Sequence, residues 1–159
     1  MNIAFFITPK SNVVFETISA TMRQVIERMD YHRYTAIPIL DGQGRYVGTM
    51  TEGDLLRKLK NTPGLDIRET SKIPVTDIPM RVQNKPVHIN CDMEDLVKTV
   101  TNQNFVPVLD DENSFIGIIK RSDILQYCFD VLMPKKDSIP PEKSLHLSGK
   151  VDGVRQHPV

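Results

Sequence analysis

Two four-residue stretches hold the side chains best suited to chemistry, Thr51-Glu52-Gly53-Asp54 and Lys120-Arg121-Ser122-Asp123. Each puts an Asp three residues beyond a group able to meet an anion, a hydroxyl at Thr51 and an ammonium at Lys120, with the Arg121 guanidinium next to it. A carboxylate accepts hydrogen bonds in pairs, and the free amides at a helix start form a weakly positive surface. That combination suits reversible recognition of a ligand with paired hydroxyls and negative charge. Bond-breaking chemistry is not indicated, because no nucleophile with a matched base, no metal set and no Gly-rich phosphate loop accompanies these residues.

The same residues also have a structural use. Thr51 and Asp54 are spaced like a capping box, which a helix start needs in any case. At the second stretch Lys120 cannot accept a hydrogen bond from a helix amide, so capping alone leaves Asp123 unexplained, although Ser122 could cap one turn later. Both readings stay open for each Asp.

The elements that must position these groups are written twice. Adding 69 to a position carries Pro38 onto Pro107, Asp41 onto Asp110, Gly48 onto Gly117, Asp54 onto Asp123 and Leu56 onto Leu125. This is an internal repeat. In the first copy an apolar run, Ala36 to Leu40, ends at the turn-rich Asp41-Gly42-Gln43-Gly44, and Arg45 to Met50 resumes apolar, which predicts a hairpin. A helix follows, with Leu55, Leu56 and Leu59 on one face, and Ile124, Leu125 and Cys128 as their equivalents. Upstream, Met22, Val25, Ile26 and Met29 predict an earlier helix, answered by Met93, Leu96, Val97 and Val100 at an offset of 71. Thr21 with Gln24 has the form of a capping box and Asp92 with Asp95 a weaker one. Short extended stretches, Val13 to Ile18 and Val87 to Ile89, precede these helices. Each unit therefore reads strand, helix, strand, strand, helix.

These residues resemble a tandem pair of CBS (cystathionine beta-synthase) domains, a Bateman module. The signature stands as Ile37-Pro38-Ile39-Leu40-Asp41 with Gly48-Thr49-Met50-Thr51-Glu52-Gly53-Asp54, and again as Val106-Pro107-Val108-Leu109-Asp110 with Gly117-Ile118-Ile119-Lys120-Arg121-Ser122-Asp123. The first copy is similar to stand-alone bacterial CBS-pair proteins in IAFFITPKSNVV, HRYTAIPILD and YVGTMTEGDLL. The resemblance implies an α/β (α+β) fold of two pseudo-symmetric β-α-β-β-α units, with three-stranded sheets packed face to face and helices outside. It implies CBS units at residues 1–60 and 80–132 joined by a connector at 61–79. It further implies a homodimer paired through helix faces, with surplus apolar area on the Met22 and Leu125 helices.

By the same resemblance, Asp54 and Asp123 hold a ribose and Thr51 meets a phosphate. Main-chain groups of Thr35, Ala36 and Ile37, or of Asn104, Phe105 and Val106, read an adenine edge. Lys120 departs from the family's Thr or Ser, so the two clefts are expected to be chemically unequal, with Lys120 and Arg121 favouring more phosphate charge. Lys10 and Asn12 stand either beside the ligand or in a plain solvated turn, and Thr76 to Pro79, where family members enter the second domain, is expected along the other cleft. The implied function is regulatory. An adenosine-containing molecule such as AMP, ATP or cyclic di-AMP is the expected ligand, no further cofactor is required, and an effector protein receives the signal. The alternative is a dimerisation or scaffold module without ligand.

Bulk properties set limits. Twenty basic and twenty acidic residues cancel in a chain of 159, so no global field argues for nucleic acid or an anionic membrane. The only early apolar run, Ile3 to Ile7, is too short for a signal peptide or a membrane span. Two distant cysteines and four histidines without ligand spacing predict reduced thiols, no metal and a cytoplasmic location. Cys91 lies just ahead of a predicted helix, where the dipole could lower its pKa, or where it is simply a small unreactive residue. Residues 133–159 hold four of eleven prolines and no sustained period, which predicts a flexible tail.

Overall fold

The computed structural model describes residues 1–134; the expected tail, 133–159, lies almost wholly outside the described residues. A short strand β1 (Ile7–Pro9) is followed by β2 (Glu16–Thr17), helix α1 (Met22–His32), β3 (Ala36–Leu40), β4 (Tyr46–Thr51) and α2 (Glu52–Asn61). The second copy supplies β5 (Val87–His88), α3 (Met93–Val100), β6 (Phe105–Leu109), β7 (Phe115–Lys120) and α4 (Arg121–Leu132). The repeated order is the one that the periodicities predict. The extended stretches ahead of α1 and α3 are shorter than expected, with only two residues of each in a ladder.

The first sheet runs β2-β3-β4, with β2 parallel to β3 and β3 antiparallel to β4. The second runs β1-β7-β6-β5 and so has four strands where three are expected. The extra strand comes from the other end of the chain: Ile7, Thr8 and Pro9 pair with Ile119, Ile118 and Gly117. The repeated glycine at the edge of each hairpin has its reason here. A Cβ on Gly117 would stand on the Thr8 carbonyl oxygen, and one on Gly48 would lie 2.8 Å from the terminal methyl of Met80.

Strand alternation divides the side chains between two destinations. Ile37, Ile39 and Met50 face inward against Met22, Val25 and Met29 of α1 and Leu55 of α2. Val106, Val108 and Ile119 do the same with Leu96, Val100 and Ile124. The intervening residues, Ala36, Pro38 and Phe105, line cavities between the two sheets. Leu56 and Leu125 part from their expected face. They are 66% and 61% exposed, because the buried stripe of each helix is narrower than the leucine pattern suggests. The Met22 helix likewise leaves little apolar surface apart from Tyr31, whereas α4 exposes Leu125, Phe129 and Leu132.

The hairpin turns match in detail. Asp41 Oδ1 accepts from the Gln43 and Arg45 amides, and Asp110 Oδ1 from those of Glu112 and Ser114. Gly44 and Asn113 close these turns at φ 77° and 61°, the left-handed conformation that Gly and Asn tolerate best. The Asp41 carboxyl is held below its ordinary range, chiefly by the Arg45 amide. The connector is pinned as its apolar anchors imply: Val75 and Ile78 are buried, and the Ile73 carbonyl and Val75 amide bond the backbone at Met22 and Ala20.

Candidate functional site

Two clefts lie where the sheets meet, related by the repeat. One, of about 270 Å³, is lined by Thr35, Ala36, Thr49, Thr51, Asn84 and the run Asn102 to Phe105, with Val82 at its side. The other, of about 260 Å³, is lined by Tyr34, Ala36, Pro38, Phe105, Ile118 and Lys120, closed by Thr8, Asn12, Val13 and Val14. Thr49 and Ile118 are equivalent positions, as are Thr51 and Lys120 and, across the pseudo-symmetry, Ala36 and Phe105. One cleft thus has a polar floor and the other an apolar one with a cation at its rim.

The polar floor is a small network. Tyr46 Oη and Thr49 Oγ1 lie 2.7 Å apart, either able to donate, and Thr49 and Asn84 are both buried. Burial raises the Tyr46 pKa, while hydrogen bonds from Thr49 and the Asn84 backbone oppose the rise. Gln103 adds its amide, donating from Nε2 to the carbonyls of Lys85 and Phe105 and accepting from the Lys85 N–H.

The two helix mouths also differ. At α2 the capping box is complete, with Thr51 Oγ1 accepting from the Asp54 amide at 3.1 Å and Asp54 Oδ2 from the Thr51 amide at 3.0 Å. The other oxygen, Oδ1, accepts from Arg57 Nη2 at 2.6 Å and from the Arg81 amide at 3.2 Å. The Asp54 side chain is fully buried. It lines a separate cavity of about 200 Å³ with Arg57, Lys58, Asp77, Pro79 and Arg81, which gives the Thr76 to Pro79 stretch its place. At α4 the Lys120 side chain makes no cap, and among the described residues Asp123 has neither a side-chain hydrogen bond nor an ion pair. Arg57's equivalent, Gln126, donates to Asp130 instead.

The remaining candidates fall as follows. Ile37 and Val106 are wholly buried in the two cores and line neither cleft. Arg121 turns back within the second unit, its Nη2 donating to Asn104 Oδ1 at 2.6 Å and its amide to the Asn104 carbonyl at 3.0 Å. The matching bond, Glu52 amide to Thr35 carbonyl, is 3.0 Å. Asn12 reaches the apolar cleft, while the Lys10 ammonium sits over the Phe15 ring. Sequence reasoning missed Thr49, Asn84 and Tyr34. Thr49 stands on β4 within the repeated stretch, between residues of the core face, a signal that strand alternation could have supplied.

A family model for the CBS domain matches residues 6–61 and again residues 75–130. The chain belongs to the CBS domain family. A CBS domain-containing protein of Dictyostelium discoideum is 26% identical over 133 residues, which is 79% of this chain and 88% of that protein. The crystal structure of CbpB in complex with c-di-AMP superposes with a TM-score of 0.73 at 19% identity, covering 83% of this chain and 87% of that one. That of CBSX2 in complex with AMP gives 0.64 at 23% identity, covering 82% and 98%. At these identities the structures establish the CBS-pair fold.

Outside the clefts, the Cys91 pKa is raised, first by burial and then by Asp92 and Asp95. Among the described residues no group of three His, Cys, Asp or Glu side chains could hold a metal, and no helix is long and apolar enough to cross a membrane.

Proposed function

We propose that this CBS pair is a non-enzymatic regulator that binds an adenosine-containing nucleotide, AMP, ATP or cyclic di-AMP, between its two units and passes the signal to a protein partner. The observation that carries the reading is the apolar cleft at the unit boundary. Tyr34, Pro38, Phe105 and Ile118 offer the walls that a base needs, and Lys120 at the rim offers the charge that a phosphate needs. CbpB with c-di-AMP and CBSX2 with AMP support the ligand class. The mechanism is differential binding: a ligand touching both units favours one relative orientation of them.

In this reading residues 1–60 and 80–132 act as the two ligand-gripping units, with 61–79 as the connector. The module is a homodimer, supported by Leu125, Phe129 and Leu132, which α4 exposes at i, i+4 and i+7. It works in the cytoplasm, where its two free cysteines stay reduced. Thermal unfolding with AMP, ATP, cyclic di-AMP and cyclic di-GMP tests it. A ligand at a hundred times its dissociation constant adds about 2.7 kcal/mol, and each kcal/mol moves the midpoint of such a chain by roughly 2–4 °C. A rise with adenine compounds supports the reading; no response to any of them favours a ligand-free scaffold.

A further inference from the structure

The surroundings of the two clefts differ at three equivalent places, and always in the same sense. An offset of 69 carries Tyr46 onto Phe115 and Thr49 onto Ile118, while the offset of 71, kept by the pairing of β2 on β3 and of β5 on β6, carries Val13 onto Asn84. Three apolar residues in one copy thus answer three hydrogen-bonding residues in the other. Tyr46 and Thr49 satisfy each other at 2.7 Å. Asn84 is not provided for in this way. It lines the Thr49 cleft and is 6% exposed, and its carboxamide makes no hydrogen bond among the described residues. Because no fully enclosed side-chain N or O is left unpaired there, the small surface that Asn84 keeps includes its carboxamide, and the space it meets is the cleft.

Burying an amide without a partner is costly, so a group held this way is explained by what it meets when the cleft is filled. The lining narrows the choice. None of its side chains carries a charge, and a phosphate brought there would lose water without gaining a counter-charge. Ala36, Val82 and Phe105 supply apolar surface for a flat ring. The carboxamide offers one donor and one acceptor side by side, the pair that matches adenine N7 and N6. The other cleft is built the opposite way, with an apolar floor at Ile118 and the Lys120 cation at its rim.

We propose that the Thr49 cleft is a separate site for an unphosphorylated adenine nucleoside, with Asn84 as the residue that selects it, while phosphate-bearing nucleotides go to the Lys120 cleft. The proposal rests on the adenine-binding reading above and divides its ligands between the two clefts.

Isothermal titration of the full chain tests it in two steps, ATP first and then adenosine into the ATP-saturated protein. One adenosine per chain is expected to bind the loaded protein. Asn84→Leu is expected to weaken adenosine by at least about tenfold and to leave the affinity for ATP unchanged. Its ligand-free melting point should stay level or rise, because an apolar side chain of similar size replaces a buried amide with no partner. Thr49→Val, which keeps the shape of the floor and removes its hydroxyl, is the second variant and should weaken adenosine in the same way. Heat from ATP with no uptake of adenosine by the loaded protein overturns the separate site and leaves the nucleotide reading in place. AMP taking the place of adenosine in that protein at a lower concentration overturns the exclusion of phosphate. Adenosine binding that Asn84→Leu does not weaken, or a fall in the ligand-free melting point of that variant, overturns the role of Asn84. No heat from either ligand overturns both the nucleotide reading and the proposal built on it.

Discussion

The rings of Tyr46 and Phe115, equivalent residues of the two repeats, lie against each other with centroids 6.4 Å apart and planes inclined by 24°. Phe115 also donates its amide to the Gly44 carbonyl at 3.0 Å, so the junction between the units is both packed and hydrogen-bonded. Phe115 is 2% exposed. Phe115→Ala is expected to cost about 3–5 kcal/mol. Denaturant melts measure the loss, and a value under about 1 kcal/mol would mean that the junction contributes little.

Tyr46 gives the junction a pH dependence. Its folded pKa lies above the ordinary value near 10, so the stability it contributes is fully present below that value and is lost as pH rises through the folded pKa. Absorbance titration of the tyrosines should resolve one phenol ionising later than the rest. Tyr46→Phe should remove that late step.

The two hairpin glycines should not be equally replaceable. Gly117→Ala drives a methyl into the Thr8 carbonyl of the paired strand β1, whereas Gly48→Ala meets only the mobile end of Met80. The first change is expected to cost about 1–3 kcal/mol. The second should cost less than half as much, and equal melting points for the two variants would contradict the close approach of β1.

Caps and ligand charge pull against each other at α4. Lys120→Thr supplies the hydroxyl that caps α2 and is expected to gain about 1 kcal/mol without ligand. It also removes a cation from the cleft rim, so affinity should fall more for ATP than for AMP. Titration of both ligands checks the second half, and unchanged discrimination would show that Lys120 does not sense phosphate.

Cys91 should be a slow thiol. With its pKa raised by burial and by Asp92 and Asp95, its alkylation rate in a Cys128→Ser background should keep climbing with pH beyond the midpoint of a free thiol. A plateau reached by neutral pH would contradict that environment.

The order of elements was legible because the offset of 69 residues carries turn, hairpin and helix together, and Asp41 with Asp110 marks both turns. Strand β1 was not, since a three-residue strand has no period and its partner lies at the far end of the chain. Leu56 and Leu125 misled for a different reason: helical spacing gives a face but not the width of the neighbour that covers it. At the helix mouths, the repeated Asp positions were visible, while their opposite states were not. Arg57 stands three residues after Asp54, a spacing that suits an ion pair, but the Arg81 amide arrives from a segment that no local pattern connects to it.

The pairing of Ile7 with Ile119 also bears on how the molecule is made. During synthesis at about 5–20 residues per second, β1 emerges several seconds before the strand it must join. Until then one edge of the second sheet is missing and the first unit trails a free apolar segment. Such long-range closure slows folding and ties the last step to completion of both units. A fragment ending after α2 would therefore carry a strand with no sheet to enter, and one beginning after it would carry a sheet with an open edge.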